Sequence, residues 1–545
     1  MAKLSTTELG KGPANFATLS PVGFLARTAN VHPFLLSTIY GEVSYTWHDT
    51  YERCKRFASA LTGLGVRRGD IVAVMLPNVP AMFESHFAVP MAGGVLCAIN
   101  TRLDVESVRY ILEHSNAKVM LVDPEFAATV REVVRRLGSQ APIVINVADD
   151  SAPCADTIGD LEYEALILQG DGSFEGGAPD DEWDTIALNY TSGTTGKPKG
   201  VVYHHRGAHL NAVNNVLYWN LPSRPVYLWV LPMFHCNGWC FPWTLALVAG
   251  VSIFLRKFNP SIVFDAIGQH AVTHMCAAPI VYASLVHSGL GALRFDRTVH
   301  GLIAGSSPPV SVLEGASKLG FELTHVYGLT EVYGPSSVCV QQPDWQEVSH
   351  EQQMQLHRRQ GVVSPLQGEV AVLDPATLRA VPHDLETIGE VMFKGNLVMK
   401  GYFKDPDATE AALSGGWFHT GDLAVVDSDG YIVIKDRAKD IIVSGGENIS
   451  SVEIEEVLYA HPSVVVAAVV AEPDSKWGEA PCAFVELRVG AVVLEAELMT
   501  FCRERLAGFK MPKRIVFGLV PKTSTGKIKK FELRSRLGSA DAVYR

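Results

Sequence analysis

A ten-residue segment rich in glycine, hydroxyl and lysine side chains constrains this chain more than any other stretch. Residues 191–200 contain three glycines, four hydroxyl side chains and two lysines. Directly before them, Ile186, Leu188 and Tyr190 alternate with polar or small residues, which predicts a half-buried strand. Glycines let a loop turn backbone N–H groups toward one point and lysines add positive charge, so we expect this loop to bind phosphate oxygens. A polar hairpin with solvated lysines is the alternative.

This segment, called the phosphate loop below, differs from the common nucleotide-binding loop G-x-x-x-x-G-K-S/T. Thr191 stands where that loop has its first glycine, and Pro198 replaces the hydroxyl residue that binds Mg²⁺. If the phosphate loop holds a nucleotide, it must therefore do so in another way.

Three later segments could complete a nucleotide site. Residues 327–331 offer an aromatic face for a base, a hydroxyl for a phosphate and a carboxylate for Mg²⁺. Asp422, in a Gly-Asp turn, could accept both hydroxyls of a ribose. Residues 506–530 include seven basic residues and no acidic one, in a chain of net charge −12, which predicts an anionic ligand. Each segment alone is also compatible with an ordinary turn or with solvated lysines.

Taken in order, these segments resemble the motifs of the adenylate-forming superfamily, which contains acyl-CoA synthetases, luciferases and the adenylation domains of peptide synthetases. The phosphate loop matches the superfamily pattern at every position, and residues 521–527 match its C-terminal lysine motif. The resemblance implies an α/β protein with a large N-terminal domain of layered β-sheets and helices, residues 1–436. A hinge at 437–440 would lead to a small mobile α+β C-terminal domain, residues 441–545.

Local patterns agree with such a layered arrangement. Apolar residues at helical spacing predict a helix over 51–64, and short apolar runs predict strands over 70–75, 119–122 and 464–470. Residues 150–183 are acidic and rich in glycine and serine, so we expect a surface connection before the strand that enters the phosphate loop.

The resemblance also implies roles for individual residues. Lys527 would be the catalytic lysine, with His235 and Glu331 as further catalytic candidates, and Lys439 would be the hinge residue. Glu331 and Thr191 would hold Mg²⁺. The residues implied to bind ATP or CoA are Thr191, Ser192, Gly193, Thr194, Thr195, Gly196, Lys197, Tyr327, Thr330, Asp422, Arg437, Gly445, Gly446 and Glu447.

By the same resemblance, Tyr327 would stack on adenine, Asp422 would bind the ribose, and Thr330 would contact the α-phosphate. The turn at 445–447 would guide the pantetheine arm of CoA. The segment that contains His235 would line the pocket of the carboxylic acid. The implied pocket residues are His235, Trp239, Ala304, Gly305, Ser306, Gly328, Tyr333, Gly334 and Pro335.

The acid pocket has two informative features. Residues 211–264 contain no Asp or Glu, so a substrate ammonium group would lack a counter-charge there, which favours an acid with an uncharged tail. The run from His235 to Phe241, His-Cys-Asn-Gly-Trp-Cys-Phe, resembles acyl-CoA synthetases that include plant acyl-activating enzymes and bacterial methylmercaptopropionate-CoA ligases. Trp239 suggests a short or medium pocket, with 3-methylmercaptopropionate as the leading substrate. Butyrate, other fatty acids and aromatic acids remain alternatives.

The implied reaction has two steps. The acid attacks the α-phosphate of ATP to form an acyl-adenylate, and the thiol of CoA then displaces AMP, with Mg²⁺ as the metal. The chain ends at residue 545, which leaves no room for a carrier domain after Lys527, so we expect CoA to diffuse in. An adenylating enzyme with another acceptor, or a protein that only binds nucleotide, are the alternatives.

Composition limits the partners and the compartment. A net charge of −12 argues against a general nucleic-acid binder. Nine cysteines without paired spacing favour free thiols in the cytoplasm. The sequence shows no apolar leader and no apolar span of about 20 residues, so we expect no membrane anchor. A homodimer is left open. The histidines at 204, 205 and 209 could suggest a metal, but we expect paired histidines at a helix start to be solvated.

Overall fold

The computed structural model describes residues 10–154, 156–159, 161–191, 198–290, 295, 297–488, 490–523 and 527–537. The strands, in chain order, are β1 Leu36–Tyr40, β2 Val43–Thr46, β3 Ile71–Met75, β4 Val95–Ala98, β5 Val119–Val122, β6 Ile143–Asn146, β7 Leu161–Glu162, β8 Thr185–Thr191, β9 Lys199–His204, β10 Val226–Trp229, β11 Val251–Phe254, β12 His274–Ala277, β13 Val299–Ile303, β14 Phe321–Leu329, β15 Gly334–Val338, β16 Val362–Val363, β17 Glu369–Leu373, β18 Gly389–Lys394, β19 Gly401–Tyr402, β20 Phe418–Val426, β21 Ile432–Arg437, β22 Ile442–Ser444, β23 Glu447–Ile449, β24 Val464–Asp474, β25 Gly478–Leu487 and β26 Arg514–Phe517.

Helices pack on the faces of these strands. The α-helices are Val22–Val31, Trp47–Gly63, Pro80–Met91, Val105–Ser115, Ala127–Leu137, Tyr163–Gln169, His205–Tyr218, Phe241–Leu247, Pro260–His270, Pro279–Val286, Val310–Leu319, His350–His357, Pro406–Ala412, Ser451–Tyr459, Glu495–Arg503 and Lys530–Leu537.

Two large sheets, built mainly from parallel strands, form the body of the molecule. One runs β19-β9-β8-β4-β3-β5-β6-β7, and the other runs β16-β15-β14-β13-β12-β10-β11-β1-β2. Strands such as Ile71–Met75 are buried along their whole length, as expected for parallel strands covered by helices on both faces. A smaller antiparallel sheet, β17-β18-β20-β21, follows and carries the Gly421-Asp422 turn.

The last hundred residues form a separate sheet. It runs β23-β22-β25-β24, with β26 beside β25, and has its own apolar core. Hydrogen bonds of 2.6 Å join it to the end of β21: Ser450 Oγ donates to the Lys435 carbonyl, and both the N–H and the Oγ of Ser451 donate to Asp436 Oδ2. The mixed α/β class, with a large and a smaller unit, is therefore confirmed.

Several local predictions agree with the structure, and two are wrong. Strands 70–75 and 119–122 and the helix over 51–64 are present, although that helix begins at Trp47, where Thr46 and Asp49 form a capping box. The connection 150–183 is more than surface loop, because Tyr163–Gln169 forms a helix that buries Tyr163.

The second wrong prediction concerns the histidines that follow β9. His204 and His205 are buried rather than solvated, and burial lowers the pKa of each imidazole to about 4. His204 caps the next helix by accepting a hydrogen bond from the Gly207 N–H. These side chains therefore serve the packing of the helix. No cluster of three or more metal-ligating side chains exists among the described residues.

The cysteines and the helices give two further observations. All nine cysteines are free thiols, and only Cys154 is exposed. Within the part of the chain that the structure describes, no helix is long and apolar enough to cross a membrane.

Candidate active site

The carboxylate of Glu331 lies directly after β14, where the chain turns toward β15. The Tyr402 hydroxyl donates a hydrogen bond of 2.9 Å to Glu331 Oε1. Burial raises the pKa of Glu331, while Tyr402, Arg437 and Lys527 act in the opposite direction. A carboxylate in this setting fits a single protein ligand of Mg²⁺, which commonly keeps waters and substrate phosphates as its other ligands.

Asp422 joins the aromatic end of β14 to the last strand of the small sheet. The Tyr327 hydroxyl donates to Asp422 Oδ2 at 2.7 Å, and Arg437 Nε lies 3.0 Å from Asp422 Oδ1. Asp422 and Arg437 are direct partners across β20 and β21, which fixes their contact. The Tyr327 ring stacks on Phe393, with 6.0 Å between ring centroids. The structure thus brings together three of the residues predicted to bind nucleotide.

Lys527 reaches this cluster from the C-terminal unit. Burial by the surrounding protein, with repulsion from Arg437, lowers the pKa of Lys527 to about 8, although the residue is still accessible to solvent. The attraction of Asp422 opposes this shift. The Thr523 N–H donates to the Lys527 carbonyl at 2.6 Å, and the Lys527 N–H donates to Thr523 Oγ1 at 3.0 Å. The ammonium group is therefore close enough to Asp422 and Arg437 to interact with them electrostatically.

His235, which belongs to the large unit, is near enough to Lys527 to feel its positive charge. Burial first, and repulsion from Lys527 second, lower the pKa of His235 to about 4. The imidazole is therefore neutral at pH 7. The neighbouring Cys236 Sγ lies 3.1 Å from Thr330 Oγ1, so the predicted acid-binding segment contacts the predicted phosphate-binding threonine.

Residues 236–240 form a left-handed turn. Their φ angles lie between 42° and 64° at Cys236, Asn237, Gly238, Trp239 and Cys240, and only one of the five is glycine. A left-handed residue costs roughly 1–2 kcal/mol when it carries a side chain, so such residues normally occur singly. A run of this length is held by its surroundings, and strain of this kind concentrates at functional sites.

The turn presses Trp239 against the start of β15. A Cβ atom on Gly334 would lie 3.0 Å from Trp239 Cδ1, so the indole lies against the backbone of Gly334. Gly328, opposite on β14, approaches even more closely, since a Cβ there would lie 1.7 Å from the Gly334 carbonyl oxygen. The backbone spacing requires Gly328, whereas the Trp239 indole and a φ of 108° require Gly334. Pro335, next along β15, is buried.

The other residues predicted to line the acid pocket differ in how far they are buried. Tyr333 has no exposed surface, because its ring stacks on Tyr203 and its hydroxyl accepts a hydrogen bond from the His204 N–H. The Tyr333 ring therefore packs in the core beside Tyr203, while its backbone adjoins Gly334, and its place in the acid pocket stays a prediction. Ala304 is buried at the end of β13, followed by Gly305 and Ser306, which are exposed.

The phosphate loop is described only at its two ends. Thr191 and Lys199 are paired across β8 and β9, and Lys199 Nζ lies 4.7 Å from the centre of the Tyr402 ring. The two ends therefore reach the surroundings of Glu331. The predictions for Ser192, Gly193, Thr194, Thr195, Gly196 and Lys197 concern residues that lie outside the described ones.

The 445–447 turn, predicted to guide CoA, and the predicted hinge residue Lys439 both lie in or beside the C-terminal unit. Gly445, Gly446 and Glu447 are exposed, and the Gly445 N–H donates to the Trp477 carbonyl of the same sheet. Burial lowers the pKa of Lys439, which lies between Arg437 and the Asp440–Arg534 ion pair. In this structure Lys527 therefore faces Asp422, while the 445–447 turn contacts its own unit.

Sequence reasoning missed three side chains of the site. Tyr402 binds Glu331, Phe393 supports Tyr327, and Asn237 lies in the left-handed turn. Tyr402 and Phe393 come from strands distant in the chain from their partners. The Asn-Gly pair at 237–238 was a usable signal, because both residue types tolerate positive φ.

Known protein families match the large unit and the C-terminal unit of this chain separately. The model of the AMP-binding enzyme family matches residues 25–403, and the model of the AMP-binding enzyme C-terminal domain matches residues 453–527. The chain belongs to the AMP-binding enzyme family. Among curated relatives of this AMP-binding enzyme, acetate/butyrate–CoA ligase AAE7 of Arabidopsis thaliana is 47% identical, with 99% of this chain and 98% of the relative covered. Acetate–CoA ligase CCL3 of Humulus lupulus is 45% identical, with 98% of each covered.

Solved structures agree with these relatives. The o-succinylbenzoate CoA synthetase of Bacillus subtilis, in complex with its acyl-adenylate intermediate, matches with a TM-score of 0.81 at 28% identity, covering 96% of this chain and 99% of that chain. ATP-bound MatB from Rhodopseudomonas palustris matches with a TM-score of 0.81 at 26% identity, covering 94% and 98%. This AMP-binding enzyme is an acid–thiol ligase that uses ATP, Mg²⁺ and CoA.

Proposed function

We propose that this enzyme joins a short- or medium-chain carboxylic acid to CoA through an acyl-adenylate. The observation that carries the proposal is the approach of Lys527 to the cluster of Asp422, Arg437 and Glu331, since these groups come from both parts of the chain. They bring positive charge and a metal-binding carboxylate to the place where two anionic substrates must meet.

In the first step, a carboxylate oxygen of the acid bonds to the α-phosphorus of ATP, and the bond to pyrophosphate breaks. Both reactants are anionic, so the protein has to neutralise charge and align atoms rather than supply a base. Lys527 would stabilise the charge on the phosphates, and the neutral His235 would border the acid without repelling Lys527. Glu331 and Thr191 would hold Mg²⁺, which supplies further charge neutralisation when bound.

In the second step, the sulfur of CoA bonds to the acyl carbon, the bond to AMP breaks, and the thiol proton leaves to solvent. We infer that the C-terminal unit, beginning at about residue 441, turns about Lys439 between the steps. That rotation would withdraw Lys527 and bring the exposed 445–447 turn to the site. The exposure of this turn, and its lack of involvement with Asp422 in the present arrangement, support the proposal.

We infer the size of the acid from the turn at 236–240. The contact between Trp239 and Gly334 supports a pocket that this large ring closes beyond His235. Relatives are named for acetate and butyrate, for 2-methylpropanoate and for trans-cinnamate. We therefore propose acids about the length of butyrate, with 3-methylmercaptopropionate as the leading candidate. An aromatic acid is the second candidate, because one relative is named for cinnamate.

The substrate proposal is tested by a screen for AMP release with and without CoA. Acetate through decanoate, 3-methylmercaptopropionate and cinnamate would be compared under one set of conditions. We expect CoA-dependent release with a maximum near butyrate and 3-methylmercaptopropionate. Activity on octanoate and decanoate alone would contradict a short pocket, and AMP release that ignores CoA would indicate another acceptor.

The role of Lys527 is tested separately. A group that stabilises transition-state charge contributes about 10²–10³ in rate, so Lys527→Ala should slow acid-dependent pyrophosphate exchange by that factor. Thioester formation from added acyl-adenylate should continue. Lys529→Ala is the matched control, because Lys529 pairs with Glu532 at the start of the following helix, and this variant should stay within about twofold of the parent. Undiminished exchange in Lys527→Ala would refute the assignment.

The location and the oligomeric state of the enzyme are proposed on weaker grounds than its reaction. We propose the cytoplasm as the location, which fits the free cysteines, although several relatives are named as peroxisomal. A homodimer is the oligomeric state that we would test first, by light scattering of the purified enzyme.

A further inference from the structure

A pair of asparagines lies beneath the left-handed turn, between the acid pocket and the strand that enters the phosphate loop. The Asn189 side-chain amide donates to Asn237 Oδ1, and the Asn237 backbone N–H donates to Asn189 Oδ1 at 3.3 Å. Both residues are almost completely buried. Asn189 lies on β8, two positions before Thr191, so this pair ties the turn to a rigid strand.

A histidine completes the arrangement from the other side. Asn237 Nδ2 lies 3.4 Å from His86 Nε2, and His86 Nδ1 lies 2.8 Å from the Met82 carbonyl oxygen. The carbonyl can only accept, so Nδ1 carries the proton and Nε2 accepts from Asn237. Full burial lowers the pKa of His86 to about 4, which keeps this neutral tautomer at pH 7. Every polar atom of the Asn237 side chain therefore has a partner.

The ends of the segment are held in the same way. Asn215 Nδ2 donates to the Trp239 carbonyl at 2.9 Å, and the Met233 N–H donates to Asn78 Oδ1 at 2.9 Å. Asn78 Nδ2 also donates to the carbonyls of Trp229 and Leu231. Side-chain amides thus fix the chain before, within and after the turn.

We propose that His86, Asn189 and Asn237 are positioning residues that hold the left-handed turn and so set the longest acid the pocket accepts. The inference rests on the proposed function, because it assumes that Trp239 closes the acid pocket. None of the three needs to touch the acid. They act through the backbone of residues 236–240, which presses the Trp239 indole onto Gly334.

The physical reason is the balance between strain and hydrogen bonding. Four residues with side chains adopt left-handed φ angles here, and this conformation relaxes unless its polar partners are in place. A fully satisfied buried network specifies one geometry, whereas a network with one missing partner favours rearrangement. Loss of the His86 acceptor would leave Asn237 Nδ2 unsatisfied, and the turn would shift so that Trp239 moves away from Gly334.

The test compares acids of two lengths. His86→Leu removes the acceptor, and His86→Gln retains an acceptor oxygen at about the position of Nε2. We expect the ratio of kcat/KM for hexanoate to that for butyrate to rise about tenfold in His86→Leu, the range in which one or two methylenes are discriminated. The ratio should return toward the parent value in His86→Gln. KM for ATP should stay within about twofold in both, because the proposal concerns the acid pocket alone.

A matched control separates positioning from general destabilisation. His274→Leu removes another buried histidine, one that contacts Thr273 and Trp219 rather than the turn. It should lower the melting temperature without changing the acid ratio. If His86→Leu does not fold, Asn237→Gly replaces it, since glycine tolerates the left-handed φ while the hydrogen bonds are lost. An unchanged acid ratio in a folded variant, or an equal rise in His274→Leu, would overturn the proposal.

A readout without turnover distinguishes this proposal from the proposed function. Acrylamide should quench more tryptophan fluorescence in His86→Leu than in the parent, and the difference should vanish when Trp239→Phe is added to both. If this difference appears while no acid supports AMP release in the parent, the proposed function fails and the structural part of the inference survives. If no difference appears, the positioning role is refuted.

Discussion

Glu331 shows how one side chain of the site depends on a distant part of the sequence. Its hydrogen-bond partner, Tyr402, lies about seventy positions later, on the short strand β19 that pairs with β9. Tyr402 also lies beneath Lys199, at the end of the phosphate loop. One tyrosine therefore contacts the proposed metal ligand with its hydroxyl and a lysine of the phosphate loop with its ring.

Removal of this hydroxyl should weaken the use of Mg²⁺. Partners that orient a metal ligand typically contribute 10–100-fold to metal affinity, so Tyr402→Phe should raise the Mg²⁺ concentration for half-maximal rate by about tenfold or more. The measurement is a Mg²⁺ titration of acid-dependent pyrophosphate exchange at saturating ATP.

Tyr40→Phe is the control for that titration. Tyr40 also donates to a carboxylate, Asp149 Oδ2 at 2.7 Å, but within an ion-pair cluster around Arg256. The Mg²⁺ dependence of Tyr40→Phe should match that of the parent. Equal Mg²⁺ curves for Tyr402→Phe and the parent would show that this hydroxyl does not orient the ligand.

At the scale of strands and turns, the hairpin of β14 and β15 forms one wall of the acid pocket that we propose. Gly328 and Gly334 approach so closely that a single methyl group on Gly328 would overlap the opposing carbonyl. Gly328→Ala should separate these strands and cost at least about 3 kcal/mol, the range of substitutions that disturb a packed backbone. A clear drop in melting temperature, together with loss of adenylate formation, is the expected result.

Gly268→Ala provides the comparison for the hairpin. Gly268 lies in the helix Pro260–His270, and a Cβ there would meet nothing within 4 Å. Alanine favours a helix over glycine by about 1 kcal/mol, so this variant should be as stable as the parent or slightly more stable. If Gly328→Ala had the same melting temperature as Gly268→Ala and kept its activity, the close approach of Gly328 to the Gly334 carbonyl would not be essential.

The same hairpin and turn show what could be predicted from sequence. Continuous apolar runs such as 119–122 predicted buried strands correctly, because local pattern and burial agree there. The short motifs also predicted which residues meet, since Tyr327, Asp422 and Arg437 are in contact. The full length of the left-handed turn at 236–240 could not be predicted, because the Asn-Gly pair signals only its centre and tertiary hydrogen bonds hold the rest against local preference. The packing of the Tyr333 ring could not be predicted for a similar reason, because the ring stacks on Tyr203, which is distant in the chain.

Across the whole molecule, buried histidines give the fold a dependence on pH. Burial is the main cause that lowers the pKa of six imidazoles to about 4, and these belong to His86, His204, His205, His235, His274 and His325. An unfolded chain would protonate them near pH 6.5. Between these pH values the unfolded state binds more protons than the folded state, so stability falls as the pH falls.

We therefore expect the apparent melting temperature to drop steeply from pH 7 to pH 5. Each such histidine can contribute about 1 kcal/mol per pH unit in this range. His274→Gln should make the dependence shallower by one group, whereas His350→Gln should not, because the His350 side chain is 70% exposed. Melting curves that are the same at pH 7 and pH 5 would contradict this account.

Strand order has a consequence for how the chain is made. β1 near the N-terminus pairs with β11, as Thr38 with Ser252, and β9 receives its outer partner only when Gly401 has been synthesised. A nascent chain shorter than about four hundred residues thus exposes an unpaired edge on the strand that leaves the phosphate loop, which invites association with other chains. Among the described residues, the strands of the C-terminal unit pair only with one another. During synthesis on the ribosome, the large unit should accordingly keep this edge unpaired until β19 emerges, before the C-terminal unit is made.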